Sequence, residues 1–305
     1  MNIKFINKNL LSIMLVSILT LSAAVSVQAK ENVATKTITN PSYSNILTDK
    51  NIISKFPNMK NKDFKSKNLI GGKELYINFV KTLDSKTGNV ISSTSKVSTK
   101  EAYQESLVTD LLNKGSMTTN SINASVPIQN SWMRLTFNTY SNNNIDLDIY
   151  GYYEWLKNPF FNGYDVLGLA HDSHMTFNYA SAWADNCWTD SGFATGIPFS
   201  EHWTHSTNAS SNFKGDIGGV AFTNKLTGRN GTLDDGTVVY PYGMMYVSAK
   251  KGNTSDTSSE IGLSYGHQEY GLQIVPTVTI PLGYTIRITG AYTYDIYNLP
   301  YQLNY

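Results

Sequence analysis

The sequence predicts a mainly β protein: an antiparallel β-sandwich of Tyr- and Thr-rich strands, preceded by a small α/β segment and a flexible Lys/Asn-rich leader. Three observations carry that prediction. Short stretches of alternating apolar and polar residues recur from Ser131 onward. Turn-forming clusters separate them, among them Arg229-Asn230-Gly231, Asp234-Asp235-Gly236, Lys251-Gly252-Asn253 and Pro281-Leu282-Gly283. Charged residues make up only 15% of the 305-residue chain, whereas tyrosines number 20, so Tyr, Thr, Ser and Asn take the place of ion pairs on the surface.

Residues 1–29 have the form of a secretory signal peptide. Lys4 and Lys8 precede an uncharged apolar stretch from Leu10 to Val27, and Val27-Gln28-Ala29 offers small residues where a signal peptidase needs them. Cleavage after Ala29 and an extracellular location are expected; the rival reading is an uncleaved membrane anchor. The Lys/Asn-rich composition and the near absence of cysteine suggest a bacterial source. Residues 30–73 hold closely spaced lysines (Lys50, Lys55, Lys60, Lys62, Lys65, Lys67) and poor apolar periodicity, so a flexible leader, tether or removable pro-segment is expected.

Residues 74–129 read as a separate small segment. Strands are expected at Glu74–Thr82 and Asn89–Val97 as a hairpin, followed by a helix over Thr99–Lys114. Ser98 and Glu101 have capping-box spacing, Ala102, Leu107, Leu111 and Leu112 supply an apolar stripe, and Gly115 ends the helix. The sandwich domain is then expected over 130–305, with strands at Ser131–Tyr140, Ile145–Tyr153, Asp165–Leu169, His174–Trp183, Gly218–Thr223, Thr237–Tyr246, Ser259–Gly266, Leu272–Ile280 and Tyr284–Tyr294. Pro159 makes 155–161 a corner rather than a strand. The run Tyr152–Phe161 followed by Tyr164–Asp172 resembles a stretch of secreted proteins of Gram-positive bacteria, and that resemblance implies a secreted β protein and nothing further.

Chemistry-bearing residues concentrate in one place. His171-Asp172-Ser173-His174 and Glu201-His202-Trp203-Thr204-His205 bring four of the five histidines and two carboxylates within 35 residues. Imidazole and carboxylate ligands suit a transition metal such as Zn, so His171, Asp172, His174, Glu201, His202 and His205 form a candidate metal site if the two stretches converge. The spacing differs from the H-E-x-x-H helix of metalloproteases, and no G-x-S-x-G nucleophile motif is present. Glu154, Asp165, Asp185 and Asp190 are candidate carboxylates for glycoside hydrolysis, and Asp146 with Asp148 is a weak Ca²⁺ candidate. Cys187, the only cysteine, lies between Trp183 and Trp188 and reads as a buried apolar group rather than a nucleophile.

A net charge of +1 argues against nucleic acid as a partner. Three function classes remain: a non-enzymatic extracellular binding module, a membrane-active antibacterial or toxin-like protein, and a metal-dependent hydrolase. The first expects a Tyr-rich surface in the 259–305 region that meets a cell-surface glycan, a membrane surface or a protein. The second draws on amphipathic alternation in the same region.

Overall fold

The computed structural model describes residues 31–33, 45–56, 59, 68–84, 90–115, 128–143, 145–160, 163–191, 200–226, 237–253, 255–268, 275–289 and 294–305. The expected signal peptide lies outside the described residues. The strands are β1 (Glu31–Val33), β2 (Asn68–Leu83), β3 (Val90–Ser98), β4 (Ile128–Ser141), β5 (Asp146–Trp155), β6 (Tyr164–His171), β7 (Met175–Ser191), β8 (Ser200–Thr207), β9 (Phe213–Asp216), β10 (Gly219–Lys225), β11 (Thr237–Lys251), β12 (Ser258–Gln268), β13 (Thr277–Thr279), β14 (Arg287–Thr289) and β15 (Tyr294–Asn304). The helices are α1 (Lys50–Ile53) and α2 (Lys100–Gly115).

Two sheets pack face to face as a sandwich. One has the order β1-β15-β12-β6-β10-β9, the other β3-β2-β4-β5-β11-β7-β8, and a β13–β14 hairpin stands apart. Every pairing is antiparallel except β1 with β15. Alternation decides which side chains meet between the sheets. Leu75, Ile77 and Phe79 of β2, Met133, Leu135 and Phe137 of β4, and Leu147 and Ile149 of β5 face Leu167, Leu263, Tyr265, Tyr297 and Leu299 in one buried core. At Gly151 the sheets approach so closely that a Cβ would sit 2.5 Å from Leu263 Cδ1, which is why this step of the alternation carries no side chain.

One end of the core is polar. His267 Nδ1 lies 2.8 Å from Asp165 Oδ1, and Tyr265 donates to the other oxygen of that carboxyl. Trp155 Nε1 donates to the Tyr265 hydroxyl at 2.9 Å, tying the two sheets together across their interface. Asp165 and His267 are cross-strand partners in register, and both are buried. Hydrogen bonds among these groups offset the cost of burying them.

Several expectations are corrected. The 74–129 segment is not a separate unit: β2 pairs with β4 along almost its whole length and delivers Phe79 into the common core. The boundary expected at 73/74 falls inside β2, because Leu69 and Gly71 through Lys73 also pair with β4. Within the stretch read as a leader, residues 45–56 pack on the sandwich, with Ile46, Ile52 and Phe56 buried. The stripe on α2 points outward, leaving Leu111 and Leu112 each 69% exposed. The helix is anchored instead through Tyr103, which stacks on Tyr76 at 5.8 Å, and Asp110, which pairs with Lys157. Thr99, not Ser98, caps the helix, its Oγ1 accepting from Ala102 N at 3.2 Å. Within the strands expected at Leu272–Ile280 and Tyr284–Tyr294, the described residues form the short β13 and β14, and Tyr294 opens the long β15. No helix among the described residues is long and apolar enough to cross a membrane.

Candidate functional site

The outer face of the seven-stranded sheet is unusually aromatic for a surface pointing away from the core. Register places Tyr150 of β5, Tyr246 of β11 and Trp183 of β7 in one cross-strand row. Tyr150 and Tyr246 have ring centroids 4.9 Å apart, and Tyr246 stacks on Trp183 at 5.7 Å with an interplanar angle of 28°. Tyr246 and Trp183 are partly exposed, whereas Tyr150 is buried beneath them. β-branched or aliphatic residues would serve a sheet surface as well, so three large rings in contact form a platform.

Beside that row lies a groove of about 580 Å³. It exists because β7 bows away from β11: Tyr246 opposes Trp183, but Ser248 opposes Asn178, so residues 179–182 form an irregular excursion. Ser181 fills the gap, its Oγ accepting from Ser248 N at 2.8 Å. Polar side chains line the groove: Asp146 and Asp148 from β5, Thr176 and Asn178 from β7, and Ser248 and Lys250 from β11. Asp148 is buried at the base. It accepts from Tyr246 OH at 2.7 Å and from Asn142 Nδ2 at 2.9 Å, which fixes both the carboxyl and the tyrosine ring. Thr176, Asn178 and Lys250 are exposed. The arrangement is therefore a shelf of ring faces next to fixed hydroxyl, amide and carboxyl groups.

The sequence matches no protein-family model and no curated protein. Among solved structures it is similar to one titled "Pore forming protein", at 9% identity and a TM-score of 0.25, over 57% of this chain and 87% of that one. It is also similar to one titled "Complete structure of manganese lipoxygenase of Gaeumannomyces graminis and partial structure of zonadhesin of Komagataella pastoris", at 10% identity and a TM-score of 0.27, over 78% of this chain and 84% of that one. At these scores neither likeness says what the chain does.

The six candidate metal ligands do not gather at one point among the described residues. His171 ends β6 and is buried, with Nδ1 against the Asp172 carbonyl at 2.6 Å and its ring over Phe177 at 4.3 Å; burial pushes its pKa down. Asp172 is taken up by the turn that follows, accepting from His174 N at 2.9 Å and Glu260 N at 2.7 Å. His174 is exposed, and its hydrogen bond to the Asp172 carboxyl raises its pKa. On β8, Glu201 and His205 share the outer face, but four residues of extended chain separate them by about 13 Å. His205 instead pairs with buried Asp185 at 2.5 Å, and His202, on the other face, stacks on Trp188 at 5.3 Å. Among the described residues, no three His, Cys, Asp or Glu side chains gather closely enough to hold a metal ion. Cys187 is buried, with Sγ 3.6 Å from Glu201 Oε1, and burial pushes its thiol up to about 12, far from a nucleophile's range.

Of the C-terminal tyrosines, Tyr284, Tyr301 and Tyr305 are half-buried, and Tyr270 and Tyr292 lie outside the described residues. Tyr265, Tyr294 and Tyr297 are core residues, at 0–2% exposure. A second concavity of about 650 Å³ lies between β8 and the β9–β10 edge. Asn212 Nδ2 there bonds Ser206 Oγ at 2.8 Å and the Thr223 carbonyl at 2.9 Å. The sequence marks the aromatic shelf only indirectly. β5 and β11 are large on both faces (Tyr150, Tyr152 and Tyr153; Met244, Met245 and Tyr246), where a half-solvated strand would alternate with polar residues.

Proposed function

We propose that the protein is a secreted, non-enzymatic binding module that recognises a cell-surface glycan with the outer face of its seven-stranded sheet. The observation that carries this reading is the continuity of the Tyr246–Trp183 ring stack with the groove lined by Asp148, Asn178 and Ser248. A sugar presents an apolar face of C–H groups and a rim of hydroxyls. Partly exposed rings take the first, and fixed carboxyl, amide and hydroxyl groups take the second. Placing these groups on strands rather than loops keeps their spacing rigid. Retention on purified cell-wall polysaccharides, followed by calorimetric titration with soluble fragments, tests the reading. Binding is expected for the natural sequence and a loss of at least tenfold for Trp183→Ala. Equal binding by the two proteins would remove the shelf from the account.

A second reading, contact with a membrane surface, is favoured by α2, where Leu107, Val108, Leu111 and Leu112 lie exposed on one side of a helix. Dye release or flotation with anionic and zwitterionic liposomes tests it, with Leu111→Lys as the variant. Binding that survives that substitution unchanged would exclude the helix as the contact.

A further inference from the structure

Residues 45–56 cross the outer face of the seven-stranded sheet without joining it. Their main-chain hydrogen bonds among the described residues are local turns and the single turn of α1. The sheet reaches their backbone through side chains: Asn138 Oδ1 accepts from Ile46 N at 2.7 Å, and the Tyr140 hydroxyl accepts from Leu47 N at 3.2 Å. What holds the segment is side chains in pockets. Phe56 is fully buried, edge-on to Tyr152, Trp203 and Tyr242 at 6.1, 6.0 and 5.7 Å. The neighbouring Lys55 pairs with Glu154 and lies over the Tyr242 ring at 4.9 Å. A strand of the sheet has a ladder to lose on leaving; this segment has only anchors.

We propose that this aromatic and acidic pocket is a binding site for a separate peptide segment carrying a lysine beside an aromatic residue, and that residues 45–56 are its intramolecular occupant. The pocket's chemistry names its ligand. Three rings enclose one aromatic side chain, and Glu154 with the Tyr242 face receives one ammonium. Glu201, exposed and accepting from Tyr242 OH at 3.2 Å, extends the acidic rim beyond what Lys55 occupies. Trp203 remains 36% exposed at the pocket mouth, so an incoming ring meets one wall before the occupant leaves. A tethered occupant competes at an effective concentration on the order of millimolar, so a free segment binds visibly only when that competitor is weakened. The proposal stands apart from the glycan groove and does not depend on it.

The test uses the full chain and a fluorescein-labelled peptide with the sequence of residues 45–59, followed by fluorescence anisotropy. The variant with Lys55→Ala and Phe56→Ala is expected to bind the peptide at least tenfold more tightly than the natural chain. A peptide with the same two replacements should bind neither protein. Should the double variant fail to fold, Lys55→Ala alone, at a residue whose side chain is 33% exposed, must still raise the affinity at least threefold. A folded variant that binds no more tightly than the natural chain overturns the proposal.

Discussion

Asp165 is the hinge of the polar end of the core, and removing its carboxyl has a cost that follows from its partners. Asp165→Ala leaves two buried groups without an acceptor: Tyr265 OH, which donates to one oxygen, and His267 Nδ1, 2.8 Å from the other. Each orphaned buried group costs about 1–3 kcal/mol, and the vacated volume adds to this. The two orphaned groups alone should therefore cost about 2–6 kcal/mol, a shift of roughly 4–24 °C in Tm at about 2–4 °C per kcal/mol for a chain of this size class. Asp165→Asn tells apart the hydrogen bonds from mere filling of space. The amide keeps the shape and one acceptor, and the Tyr265 hydroxyl can turn to accept from the new NH₂, so only about 1–2 kcal/mol should be lost. Urea unfolding followed by tryptophan fluorescence at neutral pH measures both. A loss under about 1 kcal/mol for Asp165→Ala, or equal losses for the two variants, would refute the claim that this network holds the sheets together.

Two further outcomes follow from the same coordinates. Cys187 is buried and its thiol is pushed up to about 12, so a disulfide-exchange reagent should leave it untouched in native protein at mildly alkaline pH and label it fully in urea; rapid native labelling would contradict its placement. Burial works to raise the Glu154 pKa, but Arg134 and Lys55 outweigh it and hold the carboxyl below its ordinary 4.5. A carboxyl lowered on folding adds stability that is complete above its unfolded pKa and fades as the pH falls through the folded value. The Tm gap between the natural chain and Glu154→Gln should thus be full near neutrality and narrow as the pH falls below the ordinary carboxyl range; a gap that does not narrow in acid would contradict the ion pairing.

The architecture was legible because a two-residue period is hard to hide when one face must be dry. β4 and β5 lie where alternation through Met133 and Leu147 places them. Misreadings cluster where another contact supplies the order. Residues 45–56 look unpatterned because their anchors, Ile46, Ile52 and Phe56, follow pockets on a sheet instead of a helical or strand period. The stripe on α2 was real as a pattern, yet Tyr103 between Tyr76 and Trp132 decides which side of the helix docks. The histidine pairs suggested convergence, but extended chain carries Glu201 and His205 apart and spends His205 on Asp185. The aromatic shelf was invisible for a related reason: its rings come from three strands distant in sequence, and only the register of β5, β11 and β7 brings them into one row.

The most direct test of the binding face is a residue-resolved titration of the protein with a soluble cell-wall oligosaccharide, followed by heteronuclear NMR. The account predicts shifts that saturate together at the Trp183 indole N–H, the Asn178 side-chain amide and the Ser248 backbone, and that vanish in Tyr246→Ala. Shifts confined to the cleft between β8 and β10, or none across a panel of neutral and amino sugars, would contradict it.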